Sequence, residues 1–493
     1  MKIPQKIFKT IAISITALAI SITATLGIFV NPVLANNGKH YEYNRLLNQV
    51  STENSNPSSK SNTVQRAFVR KNVVNLTPEE RTAFVNALHT LKKTIPEGST
   101  VSIYDQFVAT HEGLMTFQPT LMQDDKGNLM PMPPTGVGPA SEANPGHGND
   151  AFLPWHREFI SRFEQVLQSV DPSVTLPYWD WTDPKALDVI FQPDFLGTKG
   201  EGTINIPGIG VFQGGPVGGN FSEANGWVLN KDINIDTLGH QHGSALIRFL
   251  QTPPTDKYPL SKTDMDKILS YDSYDEYQYR LPGDGNPHNG NFYTKPSFRP
   301  AIEGNFREDD QGNLKPGFYM HNYMHGLVGG QLTDGSLDSF GRPKITGLLG
   351  TMNFASVTYD PAFWLIHSNL DRLWAQWQEN GHTGSDFYPS EGQPYGHNLK
   401  DPMWPWDGGQ STPGLLASVN LQPYLLSFAP EDIVTPRDTL DLKRYGYTYD
   451  ILTTSPELAS SVDSLDIEAT QNKVLSVRLV SQPSKPVIET PAQ

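Results

Sequence analysis

Two groups of three histidines constrain the fold of this chain more than any other feature of its 493 residues. The first group lies in the first half of the chain and the second group in the second half: His111, His147 and His156, then His321, His325 and His367. Neutral imidazole suits copper and zinc, whereas magnesium and calcium prefer oxygen ligands. The pattern therefore predicts two late transition-metal ions, each bound by three imidazoles that the fold must bring to one point.

The composition narrows the possible sites and partners. The chain has no cysteine, which excludes disulfides, zinc ribbons, thiolate-bound iron–sulfur clusters and blue-copper sites. Its formal net charge of -15 makes it a poor candidate for binding nucleic acid or anionic lipid. The 42 glycines and 40 prolines predict many loops. We therefore expect a globular protein with a small-molecule substrate and no nucleic-acid partner.

Residues 1–35 have the pattern of an export signal. Three lysines precede an apolar run from Ile11 to Val30, and Val33-Leu34-Ala35 supplies a cleavage site before Asn36. An uncleaved anchor is the alternative, because about 20 apolar residues can span a bilayer. Residues 36–66 are polar and aperiodic, which predicts a flexible linker. We expect a secreted or periplasmic protein with no stable membrane insertion after cleavage.

The folded region is predicted to open with a helix after Thr77. Thr77 provides the cap, Pro78 occupies the first helical position, and Glu80 completes a capping box. His89 lies off the apolar stripe of this helix and is expected to face solvent. Further on, residues 198–245 and 256–299 are predicted to be long loops with short strands that shape a rim rather than the core.

The first histidine group combines two helices and a loop. Tyr104, Phe107 and His111 share one face of a predicted helix, and a second predicted helix that begins at Pro154 carries His156 on its apolar face. His147 lies between them in a Pro-Gly-His-Gly loop that can bend toward the same point. Each of these histidines in isolation would more often be an ordinary core residue.

The second group has the more specific spacing. His321 and His325 stand at i and i+4 on one helix face, a geometry that chelates a single ion. A zinc protease would need glutamate at position 322, where this chain has Asn322. Asp371 follows His367 by one helical turn, where a carboxylate could support a ring nitrogen or a helix end. A structural salt bridge within the same helix is the alternative role for Asp371.

Several segments resemble, in order, the motifs of the type 3 copper family, the tyrosinases and catechol oxidases. The resemblance covers roughly residues 67–450 and is carried by Tyr104–His111, Phe152–Arg157, Leu176–Trp181, His321–His325 and Asp360–Trp374. Tyr445-Gly446-Tyr447 is also similar to the tyrosine motif that closes the family's core domain. By this resemblance we expect it to pack near Arg70.

The resemblance implies a mainly α fold, an antiparallel four-helix bundle around a binuclear copper site, with long loops and short peripheral β-strands. It implies one copper ion for each histidine group, O₂ as co-substrate, and a phenolic ring oxidised to an ortho-quinone. The copper domain would span 67–450, and the tail 451–493 could cover the site.

The resemblance also identifies a candidate proton acceptor. In tyrosinases a glutamate ahead of the second group and an asparagine after its first histidine orient a water that deprotonates a monophenol. The matching residues are Glu303 and Asn322, with Glu308 as a competitor in the longer, acidic stretch that follows. Ile366 stands where the family often has a histidine that binds no metal, which would alter substrate docking.

Other functions stay open at the level of sequence. A catechol oxidase or ortho-aminophenol oxidase would use the same site without hydroxylating phenols, and a haemocyanin-like protein would only bind O₂. Structural zinc is disfavoured because such sites usually have four protein ligands. His240 and His242 form an extra pair, either a further metal site or part of a surface loop. The oligomeric state is not predicted.

Overall fold

The computed structural model describes residues 68–115, 121–123, 129–131, 144–235, 240–276, 295–337, 343–409 and 420–453. All of them belong to the unit Tyr41–Gln493. The predicted signal segment, the predicted linker and the predicted tail beyond residue 453 lie outside these ranges. Among the residues described, no helix combines the length and the apolar character needed to cross a bilayer.

Helices form the body of the described chain. They are α1 (Pro78–Lys93), α2 (Ile103–Met115), α3 (Phe152–Val170), α4 (Ala186–Ile190), α5 (Lys262–Leu269), α6 (Phe298–Glu303), α7 (Met320–Gly329), α8 (Ala362–Glu379) and α9 (Pro436–Thr439). The predicted mainly helical class is confirmed, and the histidines of both groups lie on or beside α2, α3, α7 and α8.

The strands are short and pair two by two. They are β1 (Phe68–Arg70), β2 (Leu121–Gln123), β3 (Leu129–Pro131), β4 (Thr203–Ile206), β5 (Gly210–Gln213), β6 (Gly215–Pro216), β7 (Ile247–Arg248), β8 (Phe306–Glu308), β9 (Leu314–Pro316), β10 (Gln331–Leu337), β11 (Pro343–Leu348) and β12 (Tyr447–Tyr449). The pair β1–β12 is parallel, and the pairs β2–β3, β4–β5, β6–β7, β8–β9 and β10–β11 are antiparallel.

Helix α1 begins as its sequence predicts. The hydroxyl of Thr77 accepts from the Glu80 amide at 3.2 Å, and the Glu80 carboxylate accepts from the Thr77 amide at 2.9 Å. The prediction that His89 faces solvent is wrong. Its ring is half-buried, bonds the carbonyl of Asn220 through Nε2 at 3.0 Å and stacks on Phe221. The 198–245 region folds back over α1, which the helical periodicity alone does not reveal.

Aromatic side chains hold the central helices together. Phe163 of α3 stacks on Trp364 of α8 with ring centroids 3.4 Å apart. Tyr104 of α2 accepts a hydrogen bond from the Trp364 indole at 2.9 Å and donates to the carbonyl of Thr358 at 2.7 Å. Helix α3 begins at Phe152, two residues before the predicted start, and Pro154 fits its first turn because the amide there needs no partner.

The two regions predicted as a rim contribute to the core as well. Residues 256–299 contain helix α5, which buries Met265, Ile268 and Leu269. Trp227, in the glycine-rich region, is fully buried and donates to the carbonyl of Tyr359 at 3.2 Å. The rim prediction is wrong for these residues, because tertiary packing buries them. Their apolar side chains are too few in the sequence to show a clear helical or strand periodicity.

The two ends of the described chain meet beside α8. Strand β1 pairs with β12 in the register Phe68 to Tyr447, and the guanidinium of Arg70 lies 3.5 Å from the centroid of the Tyr447 ring. Arg70 also pairs with Glu164 of α3 at 2.7 Å. The expected packing of the tyrosine motif near Arg70 is therefore confirmed.

Asp371 is the acceptor at the centre of this contact. It accepts from the guanidinium groups of Arg157 and Arg70 and from the hydroxyls of Tyr447 at 2.7 Å and Tyr449 at 2.6 Å. Burial opposes ionisation, but the two arginines and the hydroxyls hold the pKa of Asp371 below its ordinary value. Three segments distant in sequence, β1, α3 and β12, therefore converge on one carboxylate of α8.

The predicted role of Asp371 in supporting a metal ligand is not what the structure shows. Its partners are arginines and tyrosines, while Nδ1 of His367 lies 3.0 Å from the carbonyl of Phe363. The alternative of a salt bridge within the same helix is also wrong, because the arginines come from β1 and α3. A side chain one turn from His367 shares its helix face without having to contact its ring.

We predict that Asp371→Asn lowers the free energy of unfolding by about 3–5 kcal/mol, because it leaves buried guanidinium charge without its partner. Denaturant unfolding of the two proteins measures the difference. Asp266→Asn is the matched control, since Asp266 forms an exposed pair with Lys262 at 2.7 Å and should cost much less. Equal losses in the two variants would contradict the central role of Asp371.

Candidate metal centre

The structure brings the six candidate histidines into two neighbouring clusters. In each cluster every histidine offers a ring nitrogen, and these atoms lie within 4.8 Å of one another. The clusters adjoin, since the rings of His156 and His367 stack with centroids 4.7 Å apart. Within the ranges described, no other group of histidine and carboxylate side chains has this geometry, so His240 and His242 form no such group. His242 instead stacks on Phe354 at 3.8 Å.

The second cluster converges through matching atoms. Nε2 of His321 lies 2.9 Å from Nε2 of His325 and 3.0 Å from Nε2 of His367. The first two rings project from successive turns of α7, and the third comes from α8. Three Nε2 atoms therefore point at one position, as a chelating i, i+4 pair with a third ligand requires.

Main-chain carbonyls orient three of the rings. Nδ1 of His156 lies 2.7 Å from the carbonyl of Phe152, one turn earlier on α3. Nδ1 of His367 lies 3.0 Å from the carbonyl of Phe363, one turn earlier on α8. Nδ1 of His325 lies 3.2 Å from the carbonyl of Met352. Because a carbonyl can only accept, each of these Nδ1 atoms carries the proton and each Nε2 keeps its lone pair.

The inward nitrogens of the first cluster lack a protein partner. Both ring nitrogens of His111, Nδ1 of His147 and Nε2 of His156 are buried without a hydrogen bond. Buried polar atoms are normally satisfied, and such exceptions mark strain or a missing ion. Unpartnered imidazole nitrogens that face one another fit a metal cation.

Asn144 fixes the loop that carries His147. Its side-chain oxygen accepts from the amides of Gly146 at 3.0 Å and His147 at 2.9 Å, and its side-chain nitrogen donates to the carbonyl of Leu114 on α2 at 2.8 Å. The Asn144 carbonyl lies 3.0 Å from Nε2 of His397, which is fully buried. Sequence reasoning missed both residues, because nothing in their spacing links position 397 to position 144.

Burial keeps the candidate ligands neutral. It lowers the pKa of all six histidines, and mutual repulsion lowers it further for His111, His147 and His367 among others. For His325 burial lowers the pKa to about 4. A metal ligand must be the deprotonated imidazole, so these rings are in the form that binds a cation at neutral pH.

Glu303 lies at the end of α6 beside both clusters. One carboxylate oxygen accepts from the amide of Gly148 at 2.7 Å, and the other accepts from Arg299 and from the side chain of Asn305 at 2.9 Å. Burial raises the pKa of Glu303, an effect that Arg299 and these hydrogen bonds oppose. The side-chain nitrogen of Asn322 lies 3.3 Å from the side-chain oxygen of Asn305.

The competing carboxylate, Glu308, points elsewhere. The stretch after Glu303 forms the β8–β9 hairpin, and Glu308 on β8 bonds the hydroxyl of Tyr271 at 3.0 Å and pairs with Lys267 of α5 at 3.2 Å. The hairpin thus carries Glu308 to a different set of partners. Glu303, and not Glu308, is hydrogen-bonded to Asn305, which in turn contacts Asn322.

Three residues of the centre are partly exposed to solvent. His147, Asn322 and His325 are half-buried, whereas the other four candidate histidines and Glu303 are buried. Ile366 is fully buried within α8.

The chain matches one protein family over most of the described region. The family model for the common central domain of tyrosinase matches residues 101–380, a segment that contains all six histidines. The chain is 31% identical to the tyrosinase of Streptomyces antibioticus, over 71% of this chain and 95% of that protein. It is 27% identical to the grixazone synthase of Streptomyces griseus, over 78% of this chain and 99% of that protein. A solved polyphenol oxidase variant from Thermothelomyces thermophila is 19% identical, with a TM-score of 0.44, over 78% of this chain and 88% of that one.

The lowered histidine pKa values predict how the metal-free protein responds to pH. Unfolded histidines bind protons below about pH 6.5, whereas the buried rings resist protonation to lower pH, to about 4 for His325. The unfolded state therefore binds more protons, and stability should fall as pH falls through this window, by up to about 1.4 kcal/mol per pH unit for each such ring. Denaturant unfolding at a series of pH values measures the slope. His325→Gln should flatten it, and an unchanged slope would contradict a buried neutral ring at that position.

Proposed function

Because the chain belongs to the tyrosinase family of binuclear copper proteins, we propose that each histidine cluster binds one copper ion. His111, His147 and His156 bind the first ion, and His321, His325 and His367 bind the second. Members of this family are copper oxidoreductases that act on phenolic substrates with O₂. The observation that carries the proposal is the convergence of six neutral imidazoles in two adjoining clusters.

The two copper ions, when bound, reduce O₂ together and supply the oxidant for an aromatic ring. The chain contributes the geometry. It supplies three nitrogen ligands for each ion where structural zinc would usually have four protein ligands. It fixes the rings of His156, His325 and His367 through main-chain carbonyls. It also buries most of the centre, which excludes bulk water from the reaction.

The substrate ring is proposed to lie against His325. The faces of His367 are already covered, by Phe363 at 3.8 Å and by His156 at 4.7 Å. His325 is half-buried, so part of its ring is available for an aromatic contact. Asn322 is also half-buried and lies about one helical turn before His325 on α7.

Hydroxylation of a monophenol requires that the phenol lose its proton. We propose that Asn322 and Glu303 act together in that step by orienting a water that accepts the phenol proton, with Glu303 providing the negative charge that stabilises the protonated water. The support is their connection through Asn305, with contacts of 3.3 Å and 2.9 Å. The protein would then hydroxylate monophenols and oxidise ortho-diphenols to ortho-quinones.

A second candidate is an oxidase of ortho-diphenols or ortho-aminophenols that does not hydroxylate phenols. It is favoured by the engagement of both Glu303 oxygens, one with Gly148 and the other with Arg299 and Asn305. A carboxylate with these partners is a weaker base for a substrate proton. Haemocyanin-like O₂ binding without turnover is the remaining alternative.

Export is a separate proposal that rests on the sequence of residues 1–35 alone. The mature chain would begin at Asn36, with a linker over 36–66, the copper domain over 67–450 and a tail over 451–493. Amino-terminal sequencing of the protein recovered from the periplasm or the medium tests it. An intact Met1 in a membrane fraction would indicate the anchor instead.

The activity is tested by oxygen uptake of the copper-loaded protein with a simple monophenol and with the matching ortho-diphenol. We expect uptake with both, and none with His325→Ala, although that variant should keep its circular dichroism spectrum. Uptake with the diphenol alone would identify the second candidate. No uptake by protein that holds two coppers would indicate an oxygen carrier.

The proton step has its own test. Glu303→Gln should lower the rate on the monophenol by about 100-fold or more and affect the diphenol much less. Glu308→Gln is the matched control and should leave the ratio of the two rates unchanged. Equal losses on both substrates in the Glu303 variant would contradict a selective role in deprotonation.

A further inference from the structure

The ring of His321 is held differently from those of the other histidines. Four of the six candidate ligands have a hydrogen-bond partner at Nδ1, and for His156, His325 and His367 that partner is a main-chain carbonyl. For His321 the partners are the side-chain oxygen of Asn322, 3.1 Å from Nδ1, and the main chain of Glu303. A main-chain carbonyl only accepts, so a chain of hydrogen bonds ends there. An amide side chain accepts through its oxygen and donates through its nitrogen, so it can continue the chain of hydrogen bonds.

The direction of the hydrogen bonds beyond His321 follows from its tautomer. Nε2 of His321 faces the other two Nε2 atoms of its cluster, so the proton resides on Nδ1 and is donated to Asn322. The amide nitrogen of Asn322 then faces the oxygen of Asn305 at 3.3 Å. The amide nitrogen of Asn305 in turn donates to Glu303 at 2.9 Å. Every step runs from donor to acceptor toward the carboxylate.

We propose that Asn305 is a positioning residue that connects the Glu303 carboxylate to the second copper through Asn322 and His321. The proposal rests on the proposed function, because it assigns His321 as a copper ligand. Carboxylates that accept from a metal-binding histidine fix its ring and raise its basicity. Here two amide groups carry that effect, since hydrogen bonds aligned in one direction polarise one another.

The backbone presents Asn305 for this role without help from its side chain. Gly304 ends α6 with a positive φ of 100°, which turns the chain back across the start of α7. The amide of Asn305 donates to Pro300 at 3.0 Å, and its carbonyl accepts from Gly317 at 3.1 Å. These main-chain bonds do not involve the side-chain amide. Replacing that amide should therefore interrupt the connection and leave the β8–β9 hairpin in place.

The test measures copper release from the holoenzyme into an excess of a copper chelator. If the two sites differ in affinity, release has two phases, one for each ion. We expect Asn305→Leu, which removes both the donor and the acceptor at similar volume, to speed one phase by about 10- to 100-fold. The other phase should keep its wild-type rate. Loss of general stability would instead speed both.

Three further variants identify the phase and the chemistry. Asn144→Ala removes the contacts to the amide of His147 and should speed the opposite phase. Asn305→Gln keeps both an amide donor and an amide acceptor and should release copper more slowly than Asn305→Leu. Asn313→Leu is the matched control, because the exposed Asn313 lies in the same hairpin and donates to Asp309 at 3.2 Å, and it should change neither phase.

Each outcome bears on one proposal. Wild-type release in Asn305→Leu, equal acceleration of both phases, or release from Asn305→Gln as fast as from Asn305→Leu would overturn the role of Asn305. A wild-type protein that does not hold two coppers per chain would overturn the proposed function itself. Acceleration of one phase in Asn305→Leu, with slower release in Asn305→Gln, supports the connection.

Discussion

The burial of six neutral imidazoles that face one another in two clusters is the constraint on which the rest of this structure depends, and in the first cluster the inward nitrogens have no protein partner. An unsatisfied buried polar group costs about 1–3 kcal/mol, and here several such groups face one another. Copper would remove that cost on binding, but the chain must first hold the rings in place. The surrounding structure therefore has to supply stability that the centre itself does not, and it does so with aromatic packing such as that of Phe163 on Trp364.

Asp371 shows how this stability is connected to the centre. It lies one turn beyond His367 on α8, yet it binds Arg70, Arg157 and two tyrosines rather than a histidine ring. The same helix thus carries a proposed ligand on one turn and an anchor for distant segments on the next. A rigid α8 fixes the direction of His367 without any direct contact between the two side chains, because the helix backbone sets their relative positions.

Features that depend on local periodicity could be predicted from the sequence, and features that depend on distant neighbours could not. The cap at Thr77, the inward faces of α2, α3 and α7, and the packing of the tyrosine motif near Arg70 follow from spacing or from resemblance to a family. The half-burial of His89 and the true partners of Asp371 depend on segments at least 76 residues away. So does the contact of His397 with Asn144, which no pattern around either residue indicates.

Glu303 illustrates why a site residue identified by resemblance still needs its contacts before its role can be argued. One of its oxygens binds the amide beside His147, and the other reaches His321 through Asn305 and Asn322. A single buried carboxylate therefore contacts the surroundings of both clusters, while Arg299 balances its charge. Removing that charge in Glu303→Gln acts on both branches, so the ratio of the monophenol rate to the diphenol rate, rather than the loss on either substrate, reports the proton step. A change at Asn305 interrupts one of the two branches and leaves the carboxylate, its arginine and the His147 loop as they are.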